Sequence, residues 1–151
     1  MDTDRGWTRR EALHGAGAVL LAVAWRPARA DAAELEAAIR QWSGGAPVRE
    51  GRVHFDVAPL VDNGNTVPVS VEVDSPMSTA DHVSAIALFN ESNPLRDIAR
   101  FRLGPRCGRA RVGTRIRLAT SQKLVAVARL SDGSCWSHTV EVVVTLASCI
   151  E

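Results

Sequence analysis

Thr66-Val-Pro-Val-Ser-Val-Glu-Val-Asp74 places a valine at every second position. Val67, Val69, Val71 and Val73 share one face of an extended chain, and Pro68, Ser70, Glu72 and Asp74 share the other. Side chains along a strand alternate with a period of two, so this is a strand with one buried and one wet face. Pro68 has no N–H to give to a ladder, which predicts an edge strand or a bulge at that point.

The same reading extends in both directions. Upstream, Asp62-Asn63-Gly64-Asn65 is a turn, because Asn and Gly accept positive φ at little cost. Before it, Arg52 to Ala58 alternates around Val53, Phe55 and Val57. Downstream, Ser75-Pro76-Met77 breaks the pattern, and strands follow at Val83–Phe89, Ile98–Leu103, Ala110–Leu118, Leu124–Leu130 and Trp136–Leu146. Short strands separated by turn signals every 8–12 residues or so predict an all-β chain, an immunoglobulin-like β-sandwich. The last strand sets Val140, Val142, Val144 and Leu146 against Glu141, Val143 and Thr145, and runs into a tail that carries Cys149. Ahead of the strands, Leu35, Ala38, Ile39 and Trp42 form one apolar stripe at helical spacing, predicting a short helix over Asp31–Trp42. Asp31 is its expected N-cap, and the helix is expected to cover one end of a sheet.

The N-terminus reads as an export signal. Thr8-Arg9-Arg10-Glu11-Ala12-Leu13 is a twin-arginine pattern, Gly15 to Trp25 an apolar core, and Ala28-Arg29-Ala30 a cleavage site. The apolar core is shorter than the about 20 residues that a membrane-spanning helix needs. The expected organisation is therefore a signal peptide over 1–30, a sandwich over 31–147 and a cysteine arm over 148–151, in a periplasmic protein free of the membrane after cleavage. The signal holds five arginines and three acids, so the mature chain keeps 13 basic and 14 acidic residues. That balance gives no case for a nucleic-acid partner.

An exported chain with three cysteines, Cys107, Cys135 and Cys149, has an odd thiol. If the last four strands form a meander, the connections near Cys107 and Cys135 lie at one end and the tail at the other. A Cys107–Cys135 disulfide with Cys149 free is then expected; the alternative is two reduced surface thiols. His54, His82 and His138 are scattered without ligand spacing, so no metal site and no cofactor are expected. Arg102, Arg115, Arg117 and Arg129 read as a solvated face, or as a surface that attracts a partner or an oxyanion. No nucleotide-binding glycine motif, metalloprotease motif, paired CxxC or catalytic triad is present, so the chain is not expected to be an enzyme.

Val61-Asp-Asn-Gly-Asn-Thr-Val-Pro-Val-Ser-Val-Glu-Val-Asp-Ser-Pro-Met77 resembles the diagnostic block of the SoxY family, the sulfur carriers of bacterial thiosulfate oxidation. Thr114-Arg-Ile-Arg-Leu-Ala119, Val125-Ala-Val-Ala128 and Ser131-Asp-Gly133 are similar in the same order, as is the final strand leading to a cysteine. The resemblance implies an immunoglobulin-like sandwich paired with a second sandwich subunit, SoxZ. It implies a carrier cysteine, Cys149 by position, to which thiosulfate-derived sulfur is bound covalently. It also implies periplasmic partner enzymes: a haem-containing conjugating enzyme, a sulfate-releasing hydrolase and sulfur-oxidising proteins. The family's cysteine is flanked by glycines; here it sits in Ala147-Ser148-Cys149-Ile150-Glu151, which is bulkier and more acidic. Two other readings of the residues remain: an accessory binding sandwich with an inert Cys149, and a thiol-redox protein working through Cys107 and Cys135.

Overall fold

The computed structural model describes residues 28–146. All but the last three residues of the expected signal peptide, 1–30, and Cys149 itself lie outside them. The elements are a helix, α1 (Ala28–Ser43), and nine strands: β1 (Val48–Glu50), β2 (Val53–Asp56), β3 (Leu60–Val61), β4 (Val67–Val73), β5 (Val83–Asn90), β6 (Asp97–Arg102), β7 (Arg111–Ile116), β8 (Gln122–Leu130) and β9 (Cys135–Val144). The first sheet has the order β1-β9-β8-β5-β6, with β3 also lying along β9; the second has the order β2-β4-β7.

The inner faces of the two sheets meet in one core. Ile86, Leu88, Leu124, Ala126 and Val142 of the first sheet pack with Val53, Phe55, Val67, Val69, Val71, Val73 and Ile116 of the second. The four valines of β4 all point inward, as their alternation requires. Pro68 behaves differently from expectation at the level of the sheet. β4 is the central strand, but β2 pairs with it only from Ser70 to Val73. Pro68 lies past the end of β2 and has β7 alone beside it, so the missing N–H leaves no ladder bond unmade on that side. Met77 closes one side of the core. It is buried at φ 50, and its N–H donates to Ser75 Oγ at 3.2 Å. The Ser-Pro-Met break is thus also a core plug.

The helix covers the outer face of the first sheet rather than one end. Leu35 packs with Ala87, Phe89, Val125, Val127 and Cys135, flanked by Ala38, Ile39 and Trp42. Trp42 meets Phe89 edge to face, with ring centroids 6.3 Å apart. Enclosure on both faces explains why β5 and β8 read as near-continuous apolar runs. The helix also starts earlier than expected, so Asp31 is not its N-cap. Its carboxylate accepts from Arg96 Nη2 at 2.7 Å, as does that of Glu34. Burial of the Arg96 guanidinium opposes its charge, but these two carboxylates outweigh that and raise its pKa above the usual value.

Two very short strands escaped the sequence reading. β1 and β3 both run parallel to β9, at its start and its end, and the chain crosses to the second sheet between them as β2. The crossing needs left-handed backbone at Gly51 (φ 116) and Arg52 (φ 56). The last four strands also do not form a meander. β6 pairs with β5, β7 crosses over to β4, and β8 returns to lie between β5 and β9. No helix among the described residues is long and apolar enough to cross a membrane.

Candidate functional site at the base of the tail

The chain leaves the sandwich at the end of β9, and the hydrogen bonding there is dense. Val143 N–H donates to Pro59 O at 2.9 Å and Thr145 N–H to Val61 O at 3.0 Å. Gly64 N–H donates to Leu146 O at 2.8 Å, and Thr145 Oγ1 donates to Asp62 O at 3.1 Å. On the other side, Val144 N–H donates to Ser121 Oγ at 2.9 Å. The chain is therefore held on both sides as far as Val144 and on one side as far as Leu146, three residues before Cys149. The segment that holds it is the Val61–Asn65 turn. Sequence reading gave that turn the role of a connection only; its function as a clamp depends on β3, which is too short to show a period.

The clamp has its own support. Gly64 O accepts from Leu118 N–H at 2.9 Å, and Asn63 Oδ1 accepts from Asn65 N–H at 2.9 Å. The segment around Leu118 is fixed in turn by Asn93, a buried side chain. Asn93 Oδ1 accepts from Ala119 N–H at 3.0 Å and from Gln122 Nε2 at 2.8 Å, while Asn93 Nδ2 donates to Arg117 O at 2.8 Å. Asn90, fully buried, accepts from Asn93 N–H at 2.8 Å and donates to Leu95 O at 2.6 Å. Buried polar groups that satisfy one another in this way fix one arrangement, because each lost partner leaves a costly orphan. A continuous set of bonds thus runs from Asn90 through Asn93, Leu118 and Gly64 to Leu146.

The other two cysteines are not brought together, so the expected Cys107–Cys135 disulfide is corrected. Both are free thiols. Cys135 opens β9 and is buried under α1, while Cys107 is exposed on a 3₁₀ turn, Pro105–Cys107, beyond β6. They do lie toward the same end of the molecule, but β8 and β5 separate β9 from β6. Cys135 is enclosed between α1 and the sheet and Cys107 is exposed on its turn, so the two thiols do not face each other. With the meander goes the argument for the pairing, and with the pairing the thiol-redox reading.

The histidines are separate, as their spacing indicated. His54 Nε2 lies 3.0 Å from Asp74 Oδ2 and His82 Nδ1 lies 3.1 Å from Ser78 O, both exposed. His138 Nδ1 accepts from Phe55 N–H at 3.0 Å, tying β9 to β2 across the sandwich. Among the described residues no group of three or more His, Cys, Asp or Glu is placed to hold a metal ion. Of the four arginines, only Arg102 and Arg129 share a site. They flank Ala85, with Trp42 and Arg100, in an open cleft of about 610 Å³ on the helix side of the sheet. Arg129 lies over the Trp42 ring and donates to Trp42 O. Arg115 and Arg117 are placed elsewhere, beside Pro68 and beside the β5–β6 loop. The arginine cleft is at the Cys135 end of β9, the end away from the tail.

The architecture is that of an immunoglobulin-like sandwich with one helix on its outer face and a pinned C-terminal strand. The family described as "Sulfur oxidation protein SoxY" matches residues 39–149, most of the sequence. The chain belongs to the SoxY family. Among solved structures it is similar to the sulfur carrier protein SoxY from Chlorobium limicola f thiosulfatophilum, at 28% identity and a TM-score of 0.65, over 76% of this chain and 99% of that one. The fold alone is shared with a superoxide reductase (neelaredoxin) from Ignicoccus hospitalis, at 20% identity and a TM-score of 0.55, over 62% of this chain and 80% of that one. A putative superoxide reductase from Thermotoga maritima matches at 18% identity and a TM-score of 0.52, over 68% of this chain and 89% of that one. No curated protein matches the sequence.

Proposed function

We propose that this chain is a periplasmic sulfur-carrier subunit, exported by the twin-arginine route and loaded covalently on Cys149. The observation that carries the reading is that the SoxY family match runs to residue 149, so the cysteine falls inside it. The pinned strand supports it, because it fixes the point from which the thiol is presented. In the loading step Cys149 loses its proton and forms an S–S bond to the outer sulfur of thiosulfate. Two electrons leave in that step, and a haem protein is the oxidant class that takes them. Water then attacks the sulfonate sulfur of the adduct and breaks its bond to the outer sulfur, releasing sulfate and a proton and leaving a persulfide on Cys149. The chain supplies the thiol and its placement; the catalysts are its partners, and it needs no cofactor of its own. A second sandwich subunit of the SoxZ kind is its expected companion.

Replacing Cys149 by Ser tests the reading. In the producing organism the C149S chain should accumulate normally and fail to support thiosulfate oxidation. Undiminished oxidation with C149S would leave the chain as an accessory sandwich whose terminal thiol is inert.

A further inference from the structure

We infer that the cleft held by Arg100, Arg102 and Arg129 binds a small sulfur oxyanion of double negative charge, of the sulfate and thiosulfate class. The inference goes beyond the carrier reading and does not use Cys149. Register brings the three side chains to one face. Arg102 and Arg129 stand on either side of Ala85, and Arg100 stands across from Ala87. Ala87 packs under α1, on the outer face of the first sheet, and residues two apart on a strand share a face. The helix ends at Ser43, so the sheet beyond Trp42 lies open, and the small side chain of Ala85 leaves the floor between the arginines low. The result is the open cleft of about 610 Å³.

The positive charge is local. The mature chain is nearly neutral, yet residues 98–131 carry eight arginines and one lysine and no acid. No carboxylate lines the cleft. The nearest acid in sequence, Asp97, is paired with Arg100, while Arg102 is exposed on the edge strand with no acidic neighbour on the cleft wall. Arg129 is fixed in place. It lies over the Trp42 ring, 4.6 Å from the centroid, and donates to Trp42 O. That bond also satisfies a carbonyl at the negative end of α1, which would otherwise repel an anion. A guanidinium has five N–H donors, so Arg129 and Arg100 keep donors for a ligand. The planar fork of arginine matches paired oxygens on one tetrahedral centre. The same donors select within the oxyanions. Sulfate and thiosulfate only accept hydrogen bonds at neutral pH. Hydrogen phosphate carries an O–H that needs an acceptor, and the cleft wall has no carboxylate to take it.

The test is a titration of the isotope-labelled protein, with any subunit that co-purifies, read by amide and indole NMR at constant ionic strength. Sulfate and thiosulfate should each shift the Ala85 and Arg102 amides and the Trp42 indole N–H along one saturable curve. Hydrogen phosphate should bind several-fold more weakly. Arg102→Gln, a replacement on the exposed edge strand, should weaken sulfate binding about tenfold, the loss expected of one charge-assisted hydrogen bond. Arg115→Gln, on the second sheet, should leave it unchanged. Shifts that grow without saturating, or that weaken equally in both variants, would make the effect general screening and overturn the proposal. Equal affinity for hydrogen phosphate would overturn the assignment to a sulfur oxyanion. Saturation by an oligoglutamate peptide with none by sulfate would give the cleft to an acidic protein and overturn it as well. Loading of Cys149 is measured separately, so failure here leaves the carrier reading standing.

Discussion

Asn93→Ala should destabilise the sandwich and loosen the base of the tail at the same time. Asn93 is 8% exposed, and its side chain makes three hydrogen bonds, to Ala119 N–H, Gln122 Nε2 and Arg117 O. Alanine leaves those three groups without the partner. An orphaned buried donor or acceptor costs about 1–3 kcal/mol. Gln122 can turn toward Thr120 O, which it already contacts at 3.2 Å, so two groups bear most of the loss. The expected total is about 3 kcal/mol. For a domain of this size that is a fall in Tm of about 10 °C. Urea unfolding followed by the fluorescence of Trp42 and Trp136 measures it. Amide hydrogen exchange locates it: Leu118 N–H, which donates to Gly64 O, and Gly64 N–H, which donates to Leu146 O, should lose protection before the centre of β8 does. A cost below about 1 kcal/mol, or unchanged protection at Gly64, would refute the argument that the buried asparagines hold the tail base.

Three further outcomes follow from the same structure. Arg96→Ala removes two ion pairs to α1 and a donor to the Asn93 and Glu91 carbonyls. The carboxylates are half exposed, so the pairs contribute little and the expected cost is about 2 kcal/mol by urea unfolding, only partly restored in Arg96→Lys. Asp132 is held below its usual carboxylate range by the Ser134 hydroxyl and backbone N–H. A depressed carboxyl contributes stability above its unfolded-state value and loses it as pH falls through its folded one. The gap between the parent and Asp132→Ala should therefore be full at about pH 7 and shrink as pH falls below the ordinary carboxylate range in thermal melts. In the native protein Cys107 should be alkylated by iodoacetamide while Cys135 stays protected until unfolding; a Cys107–Cys135 crosslink found by peptide mapping would contradict the strand order.

What the sequence made legible is what its periodicity encodes. The seven longer strands and the helix were readable because valine alternation and the Leu35–Trp42 stripe leave few options. β1 and β3 were not, since two or three residues carry no period, and they pair with β9 across long sequence separations. Missing β3 hid the clamp, so the Asp62–Asn65 turn read as a connection rather than as the support of the tail. The disulfide failed for a related reason: sequence places Cys107 and Cys135 at the ends of strands, but only strand order sets how many strands lie between them. The roles of Asn90 and Asn93 were not legible either, because nothing local distinguishes an asparagine buried in a network from one in solvent.

The central claim is that Cys149 carries sulfur. The most direct measurement is the intact mass of the protein isolated from periplasm without reductant, from cells with and without thiosulfate, with peptide mapping of the tail. The account predicts a reducible sulfur adduct that maps to Cys149 and rises with thiosulfate. A free Cys149 thiol under both conditions would contradict it.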